Sequence, residues 1–338
     1  MSESQVSTTA ESLDRVSDAG DGRATSPSPA RRRPRRRKAS WRERVEISLL
    51  SGPAIIIFLT FVILPVGMAA YYGFFDWHGY GPATDFVGLR NYKVILSDPE
   101  FRAAVRHNAE IVVLSLLIQG PIAVLLALLL NRKMRGRSLI RVLVFAPWVV
   151  SEVIAGTGWS LMLPVQGAVN ALLTKMQIFG EVKIDWLGNP DLALWTLMGI
   201  LTWKYIGFAV ILLMAGLQNI PEELSEAAGV DGASYWQIQR HITLPLLGPT
   251  IRIWAFLSII GALQLFDLVY IIWGQYVAGV AGTSTMATYM VLNGRNAGNY
   301  GYGNAVAVVI FLISLIVALG YQRFVLRRDM VGALTEGA

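Results

Sequence analysis

Six stretches of this chain are too long and too apolar to serve as the core of a water-soluble domain, and they decide what it can fold into. They run over residues 49–73, 110–130, 142–162, 193–216, 250–272 and 303–323. A helix rising about 1.5 Å per residue needs roughly 20 apolar residues to cross about 30 Å of hydrocarbon, and each stretch meets that length. Hydrophobic residues make up 54% of the 338 and charged ones 15%, with mean hydropathy +0.49. Pro53, Pro65, Gly120-Pro121, Pro147 and Gly156 fall inside these stretches, as is common in spanning helices. The alternation of a membrane β-barrel is absent. The expectation is an all-α polytopic membrane protein with six transmembrane helices.

Lys and Arg set the orientation. Eleven precede the first span, five lie in 131–141, two in 217–252 and three after the sixth span. The alternate loops hold four, two and one. Both termini and the loop 218–249 are therefore expected in the cytoplasm, the protein being multi-pass.

Residues 1–44 read as a basic cytoplasmic tail, 45–330 as the six-helix domain and 331–338 as a C-terminal tail. The stretch before Trp41 has almost no large apolar side chains and is expected to be disordered. Its cluster Arg31-Arg32-Arg33-Pro34-Arg35-Arg36-Arg37-Lys38 suits topology control and anionic lipid better than nucleic acid. A twin-arginine export signal would also show paired arginines. The apolar run that follows is long, lacks an A-x-A-like site and precedes five more spans, so it reads as an uncleaved first span. Without Cys, disulfides, thiolate metal sites and thiol catalysis are excluded.

Loop 218–249 carries the most pattern. Pro221 suits a first helical turn, and Glu222 and Glu223 favour the positive end of the helix dipole. A short helix through Leu224, Glu226, Ala227 and Ala228 should break at Asp231-Gly232. Ser234 and Gln237 match a capping box opening a second helix through Trp236, Ile238 and His241, which Leu244-Pro245 is expected to end before the fifth span. The product is a helix–turn–helix knob whose small residues let a partner approach closely.

Glu226, Ala227, Ala228, Asp231, Gly232, Ala233, Leu244 and Pro245 resemble the EAA loop of the membrane subunits of bacterial binding-protein-dependent ABC importers. The resemblance implies that a separately made ATPase docks here. Further segments resemble the carbohydrate branch, of the type of the maltose and glycerol-3-phosphate importer permeases. They include Phe86-Val87-Gly88-Leu89-Arg90-Asn91-Tyr92, Asp98-Pro99-Glu100-Phe101, Trp203 with Gly207-Phe208, and Ala215-Gly216-Leu217-Gln218 with Ile220-Pro221. Phe266-Asp267-Leu268-Val269-Tyr270, Thr285-Met286-Ala287-Thr288-Tyr289 and Gly301-Tyr302-Gly303-Asn304-Ala305 extend the match over residues 45–330. Two places depart from it: Gln239 stands where the family often has Phe, and Gly274-Gln275-Tyr276-Val277-Ala278-Gly279 where it often has Gly-Gly-Gly-Pro.

Glu152, Lys204 and Asp267 would each cost about 2.5–3.5 kcal/mol facing lipid, so they are expected to face the bundle or a wet cavity. Trp148, Glu152 and Trp159 share a face at helical spacing, and Gln264, Asp267 and Tyr270 recur every third residue. Aromatic and hydrogen-bonding groups together suit a sugar ring. The alternatives are a structural Glu152–Lys204 pair with ordinary interhelical hydrogen bonds, or a partner permease that holds most of the substrate site.

No G-x-x-x-x-G-K-[ST] phosphate loop occurs. His78, His107 and His241 are scattered, and no H-E-x-x-H or G-x-S-x-G is present. The chain is therefore expected to be no enzyme and to carry no metal or cofactor, with ATP and magnesium bound by the partner ATPase. The reading is one of two permease subunits, in a heterodimer, of an importer for a sugar or small oligosaccharide. Its partners are an ABC ATPase dimer, a second permease, an extracytoplasmic substrate-binding protein and membrane lipid, with no nucleic acid. The rivals are an ABC permease for an amino acid, metal or phosphate ester, and an ion-coupled carrier, which would show repeated halves with broken helices.

Overall fold

The computed structural model describes residues 41–132, 135–176, 180–280 and 282–326, with the side chains of 42–48 and 275–280 left out. The readings made for 1–40 and 331–338 lie outside the described residues. Backbone contacts divide the chain into residues 1–56 and 57–338. In the first unit the described residues are helical from Trp41, so helix starts within the segment assigned to the tail.

In chain order the helices are α1 (Trp41–Phe58), α2 (Leu64–Tyr72), α3 (Arg90–Ser97), α4 (Pro99–Leu114), α5 (Gly120–Asn131), α6 (Arg137–Val149), α7 (Glu152–Met162) and α8 (Ala168–Lys175). They continue as α9 (Pro190–Gln218), α10 (Glu222–Val230), α11 (Tyr235–Ile238), α12 (Leu244–Leu263), α13 (Asp267–Val280), α14 (Met286–Met290) and α15 (Tyr300–Tyr321). Among the described residues the only strand-like pairing is one antiparallel bridge, Phe75 to Phe86.

Among the described residues five helical stretches are long and apolar enough to cross a membrane: Leu49–Tyr72, Pro99–Asn131, Pro190–Gln218, Tyr235–Leu263 and Tyr300–Leu326. The sixth is a pair, α6 and α7, that meet at 98°. The stretch expected as a straight span over 142–162 is thus broken. The fifth span also departs from expectation: α12 ends at Leu263, Gln264 is its C-cap, and α13 begins separately at Asp267.

Prolines explain much of this. Pro99 and Pro190 start helices whose caps, Asp98 and Asn189, accept from the N–H of Glu100 (2.8 Å) and Asp191 (3.0 Å). Pro65, Pro121 and Pro245 each follow a five-residue π turn, at Leu59–Ile63, Ser115–Gln119 and Gln239–Thr243. A proline ring pushes away the carbonyl four residues back and offers no N–H. Widening the preceding turn to i→i+5 pairing absorbs that clash without ending the helix. Hence Leu244-Pro245 does not close the loop's second helix; α11, the π turn and α12 run on as one rod.

Where a helix does stop among apolar neighbours, side chains from elsewhere satisfy its free carbonyls, as a medium without water demands. At the end of α12, Asn108 Nδ2 donates to the Ala262 carbonyl (2.6 Å) and Thr285 Oγ1 to that of Leu265 (2.7 Å). Asn108 Oδ1 also accepts from the Met286 N–H at 2.9 Å, and Asn108 is fully buried. Removing that side chain strands the Met286 N–H, at about 1–3 kcal/mol, and leaves the Ala262 carbonyl with only the backbone N–H groups at the end of α12. Asn108→Leu should therefore insert but melt at clearly lower temperature, as read by thermal unfolding of the detergent-purified protein.

Candidate functional site: the loop knob and the cavity between the spans

The loop after α9 folds from local rules. Glu222 and Glu223 occupy the first turn of α10, and the helix closes at Asp231. Gly232 takes φ +83°, its N–H donates to the Gly229 carbonyl (3.1 Å), and the Ala233 N–H reaches back to that of Ala228 (2.9 Å). This paired closure requires a left-handed residue at 232, which glycine supplies without strain. Ser234 then opens α11 through a capping box, its N–H donating to Gln237 Oε1 at 2.7 Å.

The residues expected to form the docking surface come together here. Glu226, Ala227, Asp231 and Gly232 are exposed, Ala228 and Ala233 partly so. Leu244 and Pro245 lie at the foot of the knob on the rod described above. Two apolar groups that the motif did not single out stand out beside them, Val230 at 89% exposure and Trp236 at 68%. Their signal in the sequence was weak, because single apolar residues on a short polar helix are usually turned inward. The knob is tied down by Arg132, at the end of α5, whose guanidinium lies 4.0 Å over the Tyr235 ring. Below it a cavity of about 270 Å³ opens between the knob and the ends of α5 and α9, lined by Asn131, Gln218 and Gln239 among others.

A second cavity, of about 320 Å³, lies among α4, α6, α9 and α12. Its polar lining is Ser115, Gln119, Tyr205 and Ser258; Trp148, Phe208 and Trp254 supply aromatic walls. The Ser115 hydroxyl donates to Gln119 Oε1 and shares a hydrogen bond with that of Ser258, both at 2.7 Å. Trp148 leans on Phe208 with ring centroids 5.6 Å apart. Gly120 makes room for Trp254: a Cβ there would stand 2.8 Å from the indole ring.

Of the seven residues expected along the pathway, Trp148 lines this cavity. The break after Val149 puts Trp148 on α6 and Glu152 and Trp159 on α7, so the three do not share a face. Trp159 packs edge-on against Trp203, with centroids at 5.4 Å. The alternative, a Glu152–Lys204 contact pair, is not formed either. Glu152 Oε1 accepts from the Tyr205 hydroxyl (2.6 Å), while Lys204 Nζ donates to the carbonyls of Pro147 (3.1 Å), Trp148 (3.1 Å) and Val150 (2.5 Å). Gln264, Asp267 and Tyr270 do not form one helical face either: Gln264 caps α12, Asp267 starts α13 and is exposed, and Tyr270 stacks on Phe266 at 5.0 Å. Ser115, Gln119, Tyr205, Trp254 and Ser258 were missed. Gln119 inside an apolar run, four residues after Ser115, was the available signal.

The segments singled out near the far ends of the spans knit the structure together. Asn91 donates to the carbonyls of Gly73 (3.0 Å) and Phe75 (3.1 Å). The Tyr289 hydroxyl donates to Asp98 and pairs with that of Tyr302 at 2.7 Å. Burial first, and the Asp98 bond second, push the Tyr289 phenol well above its usual range, so it remains a donor. Gly294 and Gly303 cross backbone to backbone, where a Cβ on Gly294 would lie 2.5 Å from the Gly303 Cα.

An all-helical, multi-pass bundle with a cavity among its spans and a polar knob on a span-length rod defines a membrane-embedded transport subunit. The chain belongs to the family of binding-protein-dependent transport system inner membrane components, whose family model matches residues 119–329. It is the membrane component of such systems rather than their ATPase. It is 35% identical over 296 residues to the trehalose/maltose transport system permease protein MalF of Thermococcus litoralis, covering 86% of this chain and 98% of that one. It is 30% identical to the arabinooligosaccharides transport system permease protein AraP of Bacillus subtilis, over 80% of this chain and 85% of the relative. The fold matches a chain in the crystal structure of a bacterial ABC transporter involved in the import of the acidic polysaccharide alginate. That match has TM-score 0.73 and 25% identity, over 85% of this chain and 98% of the other.

A cation over an exposed ring contributes about 0.5–1 kcal/mol. Arg132→Ala should therefore loosen the knob, and amide exchange over 222–238 should quicken by about two- to fivefold. Arg132→Lys should restore most of the protection, and unchanged exchange in Arg132→Ala would show the contact to be idle.

Proposed function

We propose that this chain is one of two permease subunits of an ATP-driven importer that brings a sugar or short oligosaccharide into the cytoplasm. The observation that carries the reading is the unbroken rod from Tyr235 to Leu263. Its first turn belongs to the knob, and Trp254, Leu257 and Ser258 further along line the cavity. A push on the knob moves the cavity wall directly, because no flexible joint intervenes.

On this reading the knob lies in the cytoplasm with both termini, in the cytoplasmic membrane of a bacterial cell, and an ABC ATPase dimer binding ATP and magnesium seats on it. Glu226, Ala227, Ala228, Asp231, Gly232 and Ala233 form the seat, with Leu244 and Pro245 at its foot. The acidic, exposed Glu222, Glu223, Glu226 and Asp231 call for a basic groove on that partner. A second, non-identical permease completes the pathway, and a substrate-binding protein delivers solute at the opposite end. Carbohydrate is favoured by the relatives' transport of maltose and arabino-oligosaccharides, and by the cavity itself. Indole and phenyl rings beside hydroxyl and amide groups match a sugar's apolar faces and hydroxyl rim. ATP closes the ATPase, the knob moves, and the cavity is exposed to the far side; hydrolysis returns it.

Purification of the chain from its own membranes in mild detergent, with mass spectrometry of what accompanies it, tests the assembly. An ATPase and a second six-span permease are expected; transport by this chain alone without ATP would overturn the reading. Glu226→Lys reverses charge in the seat, and Gly232→Pro cannot adopt positive φ. Both variants should reach the membrane, lose the ATPase on purification and lose uptake. Full uptake in both would remove the coupling role from the knob.

A further inference from the structure

Two adjacent side chains of α9 hold opposite sides of the 98° break. Lys204, 3% exposed, spends its three N–H donors on the carbonyls of Pro147, Trp148 and Val150. These belong to the end of α6, where carbonyls lack helical partners and the helix dipole favours a cation. Tyr205, the next residue, donates to the Glu152 carboxylate at 2.6 Å on the first residue of α7.

Each arm of the broken span has its own seat. Gly207 lets α6 lie against α9, since a Cβ there would stand 2.6 Å from the Val144 carbonyl oxygen. Gly156 lets α7 lie against α13, where a Cβ would meet Ile271 Cγ2 at 2.8 Å. α9 changes core at the same point. Leu201 packs in the cluster containing Ala155 of α7 and Leu268 of α13, and Ile206 in the cluster with α5 against which Val144 of α6 packs. Lys204 and Tyr205 sit at that seam. Among the described residues the contact ion pairs are Arg106–Glu110 and Lys183–Glu181; the direct hydrogen-bond partners of Lys204 are the three carbonyls, with the Tyr205 ring 5.8 Å away and the Glu152 charge acting from further off.

We propose that Lys204 and Tyr205 form a clamp that sets the bend of the broken span and so positions the Trp148 wall of the cavity. Lys204 acts as a positioning residue and does not touch the solute. The inference rests on the cavity being the transport path, and its test is readable without transport.

The chain has no Cys, so Ser258→Cys places a single reporter thiol in the cavity. Its modification by a small water-soluble thiosulfonate is measured in the assembled complex, with and without Lys204→Met. The clamp predicts an at least fivefold change in modification rate, reversed by Lys204→Arg. In proteoliposomes carrying otherwise wild-type complex, Lys204→Met should cut the maximum uptake rate at least tenfold while the binding protein's affinity for solute is unchanged. Unaltered accessibility overturns the clamp, whether uptake survives or is lost; loss alone would place Lys204 on the solute. If Lys204→Met fails to assemble, Tyr205→Phe keeps the ring and removes one hydroxyl. It should shift accessibility in the same direction with about threefold slower uptake, and no shift overturns the proposal. Wild-type complex that imports nothing would sink the transport reading while leaving the accessibility result intact.

Discussion

In hydrocarbon, a carbonyl or N–H that leaves its helix has no water to turn to, and this structure is organised around where those groups go. Three prolines are absorbed inside their own helices by a widened turn, so the rods at Pro65, Pro121 and Pro245 continue. The interruptions after α6 and α12 are not absorbed. The end of α6 depends on Lys204, and the end of α12 on Asn108 and Thr285. In both cases the donor comes from a residue far away in sequence, so a local break becomes a tertiary contact. Buried Lys204, Asn108 and Thr285 serve this need.

That division also separates what the sequence made legible from what it hid. The knob was readable almost residue by residue, because its determinants are local: a dipole-matched first turn, a left-handed glycine and a capping box within sixteen residues of one another. The six apolar stretches were readable for the same reason. The pathway face was not. Placing Trp148 with Glu152 and Trp159 assumed a straight helix through Val150-Ser151, and helical spacing cannot foresee a bend whose carbonyls are capped from 54 residues away. Grouping Gln264, Asp267 and Tyr270 failed likewise, since α12 stops where Asn108 and Thr285 reach its carbonyls. Pro245 was misjudged because a proline reads as a stop until the ladder before it is seen to widen.

The segments that seemed to speak of substrate have a plainer physical role. Asn91, Asp98, Thr285, Tyr289, Gly301 and Tyr302 lie far apart in sequence, yet Asn91 ties α3 to the residues after α2, and Tyr289 links Asp98 to Tyr302. Gly301 closes against the Phe75 carbonyl, where a Cβ would sit 2.1 Å away. Each of these positions satisfies backbone, admits it closely, or joins a side-chain hydrogen bond between distant segments. They belong to the scaffold, whereas Ser115, Gln119, Trp148 and Ser258 line the cavity.

On the proposed reading the scaffold is driven at the knob, a drive that needs a stiff connection to the cavity, and the widened turn at Gln239–Thr243 keeps that connection continuous. Had Pro245 ended α11, a flexible joint would have stood between knob and cavity, and displacement of the knob would have been lost as local bending. By continuing the rod, the π turn would carry a displacement of the knob to Trp254 and Ser258, about two and a half to three and a half helical turns beyond Pro245 at 3.6 residues per turn. The broken span opposite does the reverse: its two arms rest on different helices, so the cavity has one stiff wall and one jointed wall. A stiff wall moving against a jointed one changes the shape of the space between them, which a bundle of six straight helices could do only by sliding whole spans past one another.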